Sequence, residues 1–143
     1  MNHLASAADR EFRRSFEQCT FPLAAFDHRA HVRLAYVYLV EHDTEASHHL
    51  LGDALRRFLA HNNVPATKYH ETLTRAWIMA VRHFMESAQS SASAEEFIAH
   101  HPILLDAKIM LSHYSAEVLF SEEARGRFVQ PDIEAIPQHE GEV

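Results

Sequence analysis

Two short segments of this chain carry the residue types and spacing that a reactive site needs. In the first, FDHRAH, His28 and His31 are three residues apart, and in the second, KYHETL, His70 stands beside Glu71. Residues three apart on a helix share a face, so the first pair of imidazoles can approach one ion or one anion. Three imidazoles that leave coordination positions open are what a mononuclear metal needs to activate water or dioxygen.

These segments predict a small metal-dependent enzyme that acts on a small molecule. His28, His31 and His70 would hold a divalent metal, and Glu71 would be the general base or an additional ligand, acting together with His70. Three imidazoles suit iron, zinc, nickel and copper alike, so the metal and the reaction type stay open. The remaining candidates, predicted to contact the substrate, are Lys68, Tyr69, Thr72, Tyr38 and His113.

Two other functions compete with this prediction. In a metal-free enzyme, His70 and Glu71 would be an acid–base pair, while His28, His31 and the backbone N–H groups of the helix starts would hold an anion. In a non-catalytic module, the domain would bind a ligand or a partner protein. A largely apolar second helix permits a homodimer, and the histidines would be structural or pH-responsive.

Several sharper metal templates fail. The position four residues after His70 is Thr74, which excludes the zincin motif. A ferritin-like di-iron bundle needs two Glu-x-x-His helices, and only Glu45 with His48 fits, at a helix start expected to be exposed. Eight other histidines are predicted to be solvated and without a role: His42, His48, His49, His61, His83, His100, His101 and His139.

Helix starts must position the two segments. Asp27 is a good N-cap for a helix from about His28 to Glu41. Thr44 and Thr67 are the predicted caps of two further helices, which end at about His61 and Ser87. If the starts of the second and fourth helices lie at the same end of a bundle, His28, His31, His70 and Glu71 share a pocket. Further helices are predicted after Ser6 through about Gln18, after Ser93 through His100, from Pro102 through about Ser115, and from Ser121 to about Phe128.

The fold class follows from these elements. Three glycines and five prolines in 143 residues leave few turns, and no alternating strand pattern of useful length occurs. We therefore predict one all-α domain over residues 1–143. It would be a helical bundle of about five to seven helices with short loops, followed by an extended or frayed tail over residues 129–143.

Composition narrows the environment and the partners. A net charge of −7 disfavours nucleic acid, because phosphate binding needs a basic surface. No apolar run approaches the roughly 20 residues that span a bilayer, and the N-terminus lacks the features of a signal peptide. Cys19 is the only cysteine, so no internal disulfide can form. The expectation is a cytoplasmic protein with a small-molecule ligand and no membrane partner.

The motif segments resemble those of a family of small, uncharacterised bacterial helical proteins. The similar segments are FDHRAHVRLAYVYL, KYHETLT and, nearer the C-terminus, LFSEEARGRFVQPD. The resemblance implies that His28, His31, His70, Glu71 and Thr72 recur in that family. It implies no activity, cofactor or substrate, but it favours one site formed by the two segments.

Overall fold

Seven α-helices and four short 3₁₀ helices form this protein in a computed structural model that describes residues 3–87 and 89–137. The predicted all-α bundle is confirmed. These residues contain no strand, only an isolated bridge between His3 and Ser91. The α-helices are α1 (Ala7–Glu17), α2 (His28–Glu41), α3 (Thr44–His61), α4 (Glu71–Ser87), α5 (Ala94–His100), α6 (Ala116–Leu119) and α7 (Glu122–Gly126).

Side-chain caps start most of the helices where the sequence predicts them. Ser6 and Asp9 form a capping box at α1, since each side chain accepts a hydrogen bond from the other's backbone N–H. The Asp27 carboxylate accepts from the N–H of Ala30, and α2 runs from His28 to Glu41 as predicted. Ser93 and Ser121 cap α5 and α7 in the same way.

The predicted caps of α3 and α4 are wrong by one and by three residues. The cap of α3 is Asp43 rather than Thr44. Its carboxylate accepts a hydrogen bond of 2.8 Å from the N–H of Ala46, in the first turn of the helix. Before α4, the chain after Pro65 forms a 3₁₀ helix, Ala66–Lys68. Thr67 lies inside this 3₁₀ helix and therefore cannot be the cap of α4. The cap is instead His70, whose Nδ1 accepts from the N–H of Leu73 at 3.1 Å.

The helix predicted from Pro102 to Ser115 is wrong. Two 3₁₀ helices, Pro102–Leu105 and Ala107–Ser112, occupy that stretch. They are separated by Asp106, whose carboxylate accepts from the N–H of Lys108 at 3.0 Å and so starts a new turn. A side chain that satisfies the backbone locally competes with a continuous helix.

Helix α2 is the centre of the bundle and packs against α1, α3, α4 and α5. Its residues from Leu34 to Leu39 are all buried, which explains why apolar side chains surround most of this helix. Stacked phenylalanines join α1 to α3, where the ring centres of Phe16 and Phe58 are 4.4 Å apart. This core holds the starts of α3 and α4 side by side.

The C-terminal segment is extended but packed, not frayed, as far as residue 137. The hydroxyl of Thr72 accepts from the N–H of Val129 at 3.1 Å, and Tyr114 donates to the carbonyl of Val129 at 2.6 Å. Ile136 is buried in the core. The rest of the predicted tail, 138–143, and with it His139, lies outside the described residues.

Among the helices of the described residues, none has the length and apolar character needed to cross a membrane.

Candidate functional site

The first turns of α3 and α4 lie together and carry a group of interacting polar side chains. Their link is Glu71, the first residue of α4, whose side chain is only 16% exposed. Its Oε2 lies 2.8 Å from Nε2 of His48, a residue of α3. The structure therefore pairs Glu71 with His48, a histidine predicted to be solvated, and not with the neighbouring His70.

The other oxygen of Glu71 is also occupied. Its Oε1 accepts a hydrogen bond of 2.8 Å from the hydroxyl of Tyr69 and lies 3.4 Å from Nη2 of Arg56. The Arg56 guanidinium stacks on the Tyr69 ring at 4.4 Å. Burial, followed by the hydrogen bond to Glu71, raises the pKa of Tyr69 to about 12, so the phenol keeps the proton that it donates. Glu71 thus holds three neighbours in place.

His48 is buried, which corrects its predicted solvation. Burial lowers the pKa of His48 and outweighs the opposite effect of the nearby Glu71, so the imidazole is neutral near pH 7. Its Nε2–H then donates to Glu71. Its Nδ1 is buried and has no hydrogen-bond partner among the described residues, which leaves one lone pair of the imidazole that these residues do not use.

One cluster in the described ranges, 3–87 and 89–137, has three potential metal-binding side chains whose donor atoms all lie within 4.8 Å of one another. It consists of Glu45, His48 and His49. Residues at positions i, i+3 and i+4 of a helix share a face, which explains the cluster. Glu45 Oε1 lies 3.1 Å from Nη2 of Arg75, and its Oε2 lies 3.1 Å from Nε2 of His49. Glu45 and His49 are exposed, so solvent and solutes can reach this site.

His28 and His31, two of the predicted metal ligands, lie on α2 against the core. Nε2 of His28 is 2.9 Å from the carbonyl oxygen of Leu104, and its ring meets Trp77 edge-on at 4.6 Å. The ring centres of the two histidines are 6.3 Å apart. Burial, and to a smaller extent the neighbouring His28, lowers the pKa of His31 to about 4. The Nε2 atom of His31 is buried and finds no hydrogen-bond partner in the ranges that the structure describes.

His70, the third predicted ligand, is engaged at both ring nitrogens. Besides capping α4 through Nδ1, it lies with Nε2 2.8 Å from the carbonyl oxygen of Leu119. His70, the cap of α4, precedes Trp77 by seven positions, which corresponds to about 10 Å along the helix axis. Trp77 is the residue whose ring His28 contacts. Within the described part of the chain, His28, His31 and His70 do not form a group whose donor atoms all lie within 4.8 Å of one another.

The predicted substrate-contacting residues divide into two groups. Lys68 and Tyr69 line an open pocket beside the start of α4. The other three are engaged elsewhere: Thr72 donates to the carbonyl of Arg127 at 2.9 Å, Tyr38 donates to Glu17 at 2.6 Å, and Nδ1 of His113 lies 2.8 Å from the carbonyl oxygen of Glu134. Of the five residues, Lys68 and Tyr69 are the two that line this pocket.

A close approach of Gly52 to Tyr69 gives a testable prediction about this site. A Cβ atom at Gly52 would lie 2.9 Å from the Tyr69 hydroxyl, so the hydroxyl that donates to Glu71 must shift to admit an alanine. We expect Gly52→Ala to lower the free energy of unfolding by about 1 kcal/mol, despite the helix propensity of alanine. Urea denaturation measures this. Gly126→Ala is the control, because nothing lies within 4 Å of its Cβ position; equal effects of the two substitutions would contradict the prediction.

Comparisons of the chain with protein-family models, curated proteins and solved structures find no match. The resemblance of the two motif segments to small bacterial helical proteins therefore stays a prediction.

Proposed function

We propose that this protein is a small metal-dependent enzyme whose divalent metal is held by Glu45, His48 and His49. The proposal rests on one observation: His48 is buried, with Nε2 occupied by Glu71 and Nδ1 unpartnered. A metal-binding histidine almost always donates its other ring N–H to a carboxylate or a carbonyl, which fixes its tautomer and makes it a stronger ligand. His48 has this arrangement, beside two exposed groups that can complete the site.

The donor set suits catalysis more than structural support. Two imidazoles and one carboxylate leave at least one coordination position of a metal open for water or substrate. The same set of ligands occurs in zinc sites that activate water and in iron(II) sites that activate dioxygen. The metal would act as a Lewis acid at the surface of α3, on a small molecule that reaches it from solvent.

In this proposal Glu71 orients His48 and does not act as the general base predicted from the sequence. Its two oxygens already accept from His48 and Tyr69 and face Arg56. Because both oxygens are engaged by neighbouring side chains, the carboxylate is placed to orient those side chains rather than to contact a substrate. Glu71 therefore fixes the position of the His48 imidazole and makes it a stronger ligand.

Metal titration of protein purified without a histidine tag tests the proposal. Zinc, iron(II), nickel(II) and copper(II) are each added to the parent chain and to His49→Ala, and bound metal is measured by elemental mass spectrometry after gel filtration. We expect one equivalent in the parent and loss of it in His49→Ala. His61→Ala, at the exposed end of the same helix, is the matched control and should bind as the parent does. Equal binding by parent and His49→Ala would reject the site.

Glu71→Gln should weaken metal binding without removing a ligand. Loss of a carboxylate that orients a metal-binding histidine costs about 10-fold to 100-fold in affinity. Competition with a chromophoric chelator measures the change, and circular dichroism checks that helicity is retained. Glu11→Gln, on the exposed face of α1, is the control. An affinity of Glu71→Gln equal to that of the parent would show that the carboxylate does not support the ligand.

A metal-free acid–base enzyme is the second candidate, favoured by the 2.8 Å contact between His48 and Glu71. A neutral imidazole oriented by a carboxylate is the usual arrangement of a general base. This candidate takes the place of the proposed function if no metal binds after reconstitution. Any activity found for the chain should then survive chelators and be lost in His48→Gln.

A further inference from the structure

An open pocket of about 670 Å³ has Tyr69 in its wall. Its walls come from three parts of the chain: the second half of α3, the segment before α4, and α7. A volume of this size suits a small organic molecule and exceeds the needs of a single inorganic ion. The lining residues are Arg56, Ala66, Thr67, Lys68, Tyr69, Glu122, Arg125 and Gly126.

Two positive charges in this pocket, those of Lys68 and Arg125, have no ion-pair partner among the described residues. Lys68 has no ion pair or side-chain hydrogen bond within the described part of the chain. Arg125 donates to the carbonyl oxygen of Thr67 at 3.2 Å, and no carboxylate lies within ion-pair distance of it there. Arg56, the third cation, is already shared by Glu71 and Asp53. In a chain of net charge −7, this concentration of cations favours an anionic ligand.

We propose that this pocket binds the phosphate group of a small organic phosphate. A phosphate monoester carries close to two negative charges at neutral pH, which matches the uncompensated charges of Lys68 and Arg125. The planar guanidinium of Arg125 can donate two hydrogen bonds to phosphate oxygens, and the Lys68 ammonium adds a point charge. Glu122, the one acidic residue of the wall, can accept from a hydroxyl of the organic part.

This site is separate from the proposed metal site, and phosphate binding does not require a metal. Arg56 lies eight positions after His48 on α3, which corresponds to about 12 Å along the helix. Glu71 links the two sites, because it contacts His48 at the one and both Arg56 and Tyr69 at the other. Binding can therefore be measured on chelator-treated protein, and failure of one proposal leaves the other standing.

The experiment is a calorimetric titration of the metal-free chain with glucose 6-phosphate, glucose and inorganic phosphate. We expect saturable binding of glucose 6-phosphate, weaker binding of inorganic phosphate, and none of glucose. Lys68→Gln should weaken the binding of glucose 6-phosphate about tenfold, as expected for loss of one charge-assisted contact. Lys108→Gln replaces the only other lysine, which is exposed and lies outside the pocket, and should bind as the parent does.

Arg125→Gln provides a second variant and should also weaken binding about tenfold. Arg14→Gln, on α1, is its control. Equal binding of glucose 6-phosphate by the parent, Lys68→Gln and Arg125→Gln would overturn the proposal. It would equally be overturned if Lys108→Gln and Arg14→Gln lost as much affinity as the pocket variants, or if no probe bound at millimolar concentration.

Discussion

Asp9→Asn should lower the free energy of unfolding by about 3 kcal/mol, because one buried carboxylate joins three helices. Its Oδ2 accepts from the backbone N–H groups of Ser6 at 3.0 Å and Ala94 at 2.9 Å. Its Oδ1 accepts from Nε of Arg33 at 3.0 Å. All of these partners donate, so an asparagine must turn its NH₂ group toward one of them whichever way the amide is oriented.

Urea denaturation at pH 7 measures the effect of Asp9→Asn, and Asp53→Asn is the control. The Asp53 side chain is 67% exposed and forms only a surface ion pair, so the same substitution there should change the free energy of unfolding by less than about 0.5 kcal/mol. A loss at Asp9 no larger than the loss at Asp53 would contradict the prediction.

The pH dependence of the Asp9 contribution has a definite sign. Burial by itself would raise the pKa of Asp9, but the hydrogen bonds from Ala94, Ser6 and Arg33 together outweigh it and lower the pKa below its ordinary 3.8. A carboxyl group with a depressed pKa stabilises the fold above the unfolded-state value and loses that effect as the pH falls through the folded-state value. The difference between the parent and Asp9→Asn should therefore be constant from pH 7 to pH 5.

Acid between pH 6.5 and pH 4 should destabilise the parent chain, and His31 should be the largest single cause. Its pKa is about 4 in the folded protein against an ordinary 6.5, so the unfolded chain binds a proton that the folded chain does not. The free energy of unfolding therefore decreases as the pH is lowered through this window, and it has its full value above the window. The difference of about 2.5 pKa units corresponds to about 3 kcal/mol. His48 and His70, whose pKa values are also lowered, act in the same direction.

Comparison of His31→Phe with the parent isolates this contribution. Urea denaturation at pH 7.5 and at pH 4.5 gives, for each protein, the free energy of unfolding that is lost in acid. We expect this loss to be smaller in His31→Phe than in the parent by about 2 to 3 kcal/mol, at about 1.36 kcal/mol per pKa unit. The full effect is not reached, because pH 4.5 is still above the folded-state pKa of His31. His61→Phe, at an exposed position, should lose as much as the parent. Equal acid-induced losses in the parent and His31→Phe would show that His31 titrates normally.

Local signals explain why several helix boundaries could be predicted. Asp27 and Ser6 accept N–H groups three residues ahead in the chain, and such a contact is already contained in a short stretch of sequence. The failure between Pro102 and Ser115 has a local cause too. The apolar spacing there is helical, but the carboxylate of Asp106 competes for the backbone and divides the stretch into two 3₁₀ helices.

The burial of His48 could also have been found in the sequence. It precedes Leu51, Leu55 and Phe58 at spacings of three, seven and ten residues, which places it on the buried face of α3. Its position near the start of the helix favoured the opposite interpretation. The pattern predicts which face His48 occupies, but it contains no information about the partner of the imidazole.

By itself, the sequence determined the all-α class, the course of α2 and the presence of polar groups at helix starts, because these depend on periodicity and on contacts a few residues apart. Only the tertiary structure decided the partners of the histidines. Glu71 binds His48 across 23 positions, His70 meets Leu119 across 49, and His28 meets Leu104 across 76. A hydrogen bond requires a separation near 3 Å and a suitable direction, and these follow from how the helices pack rather than from any local pattern.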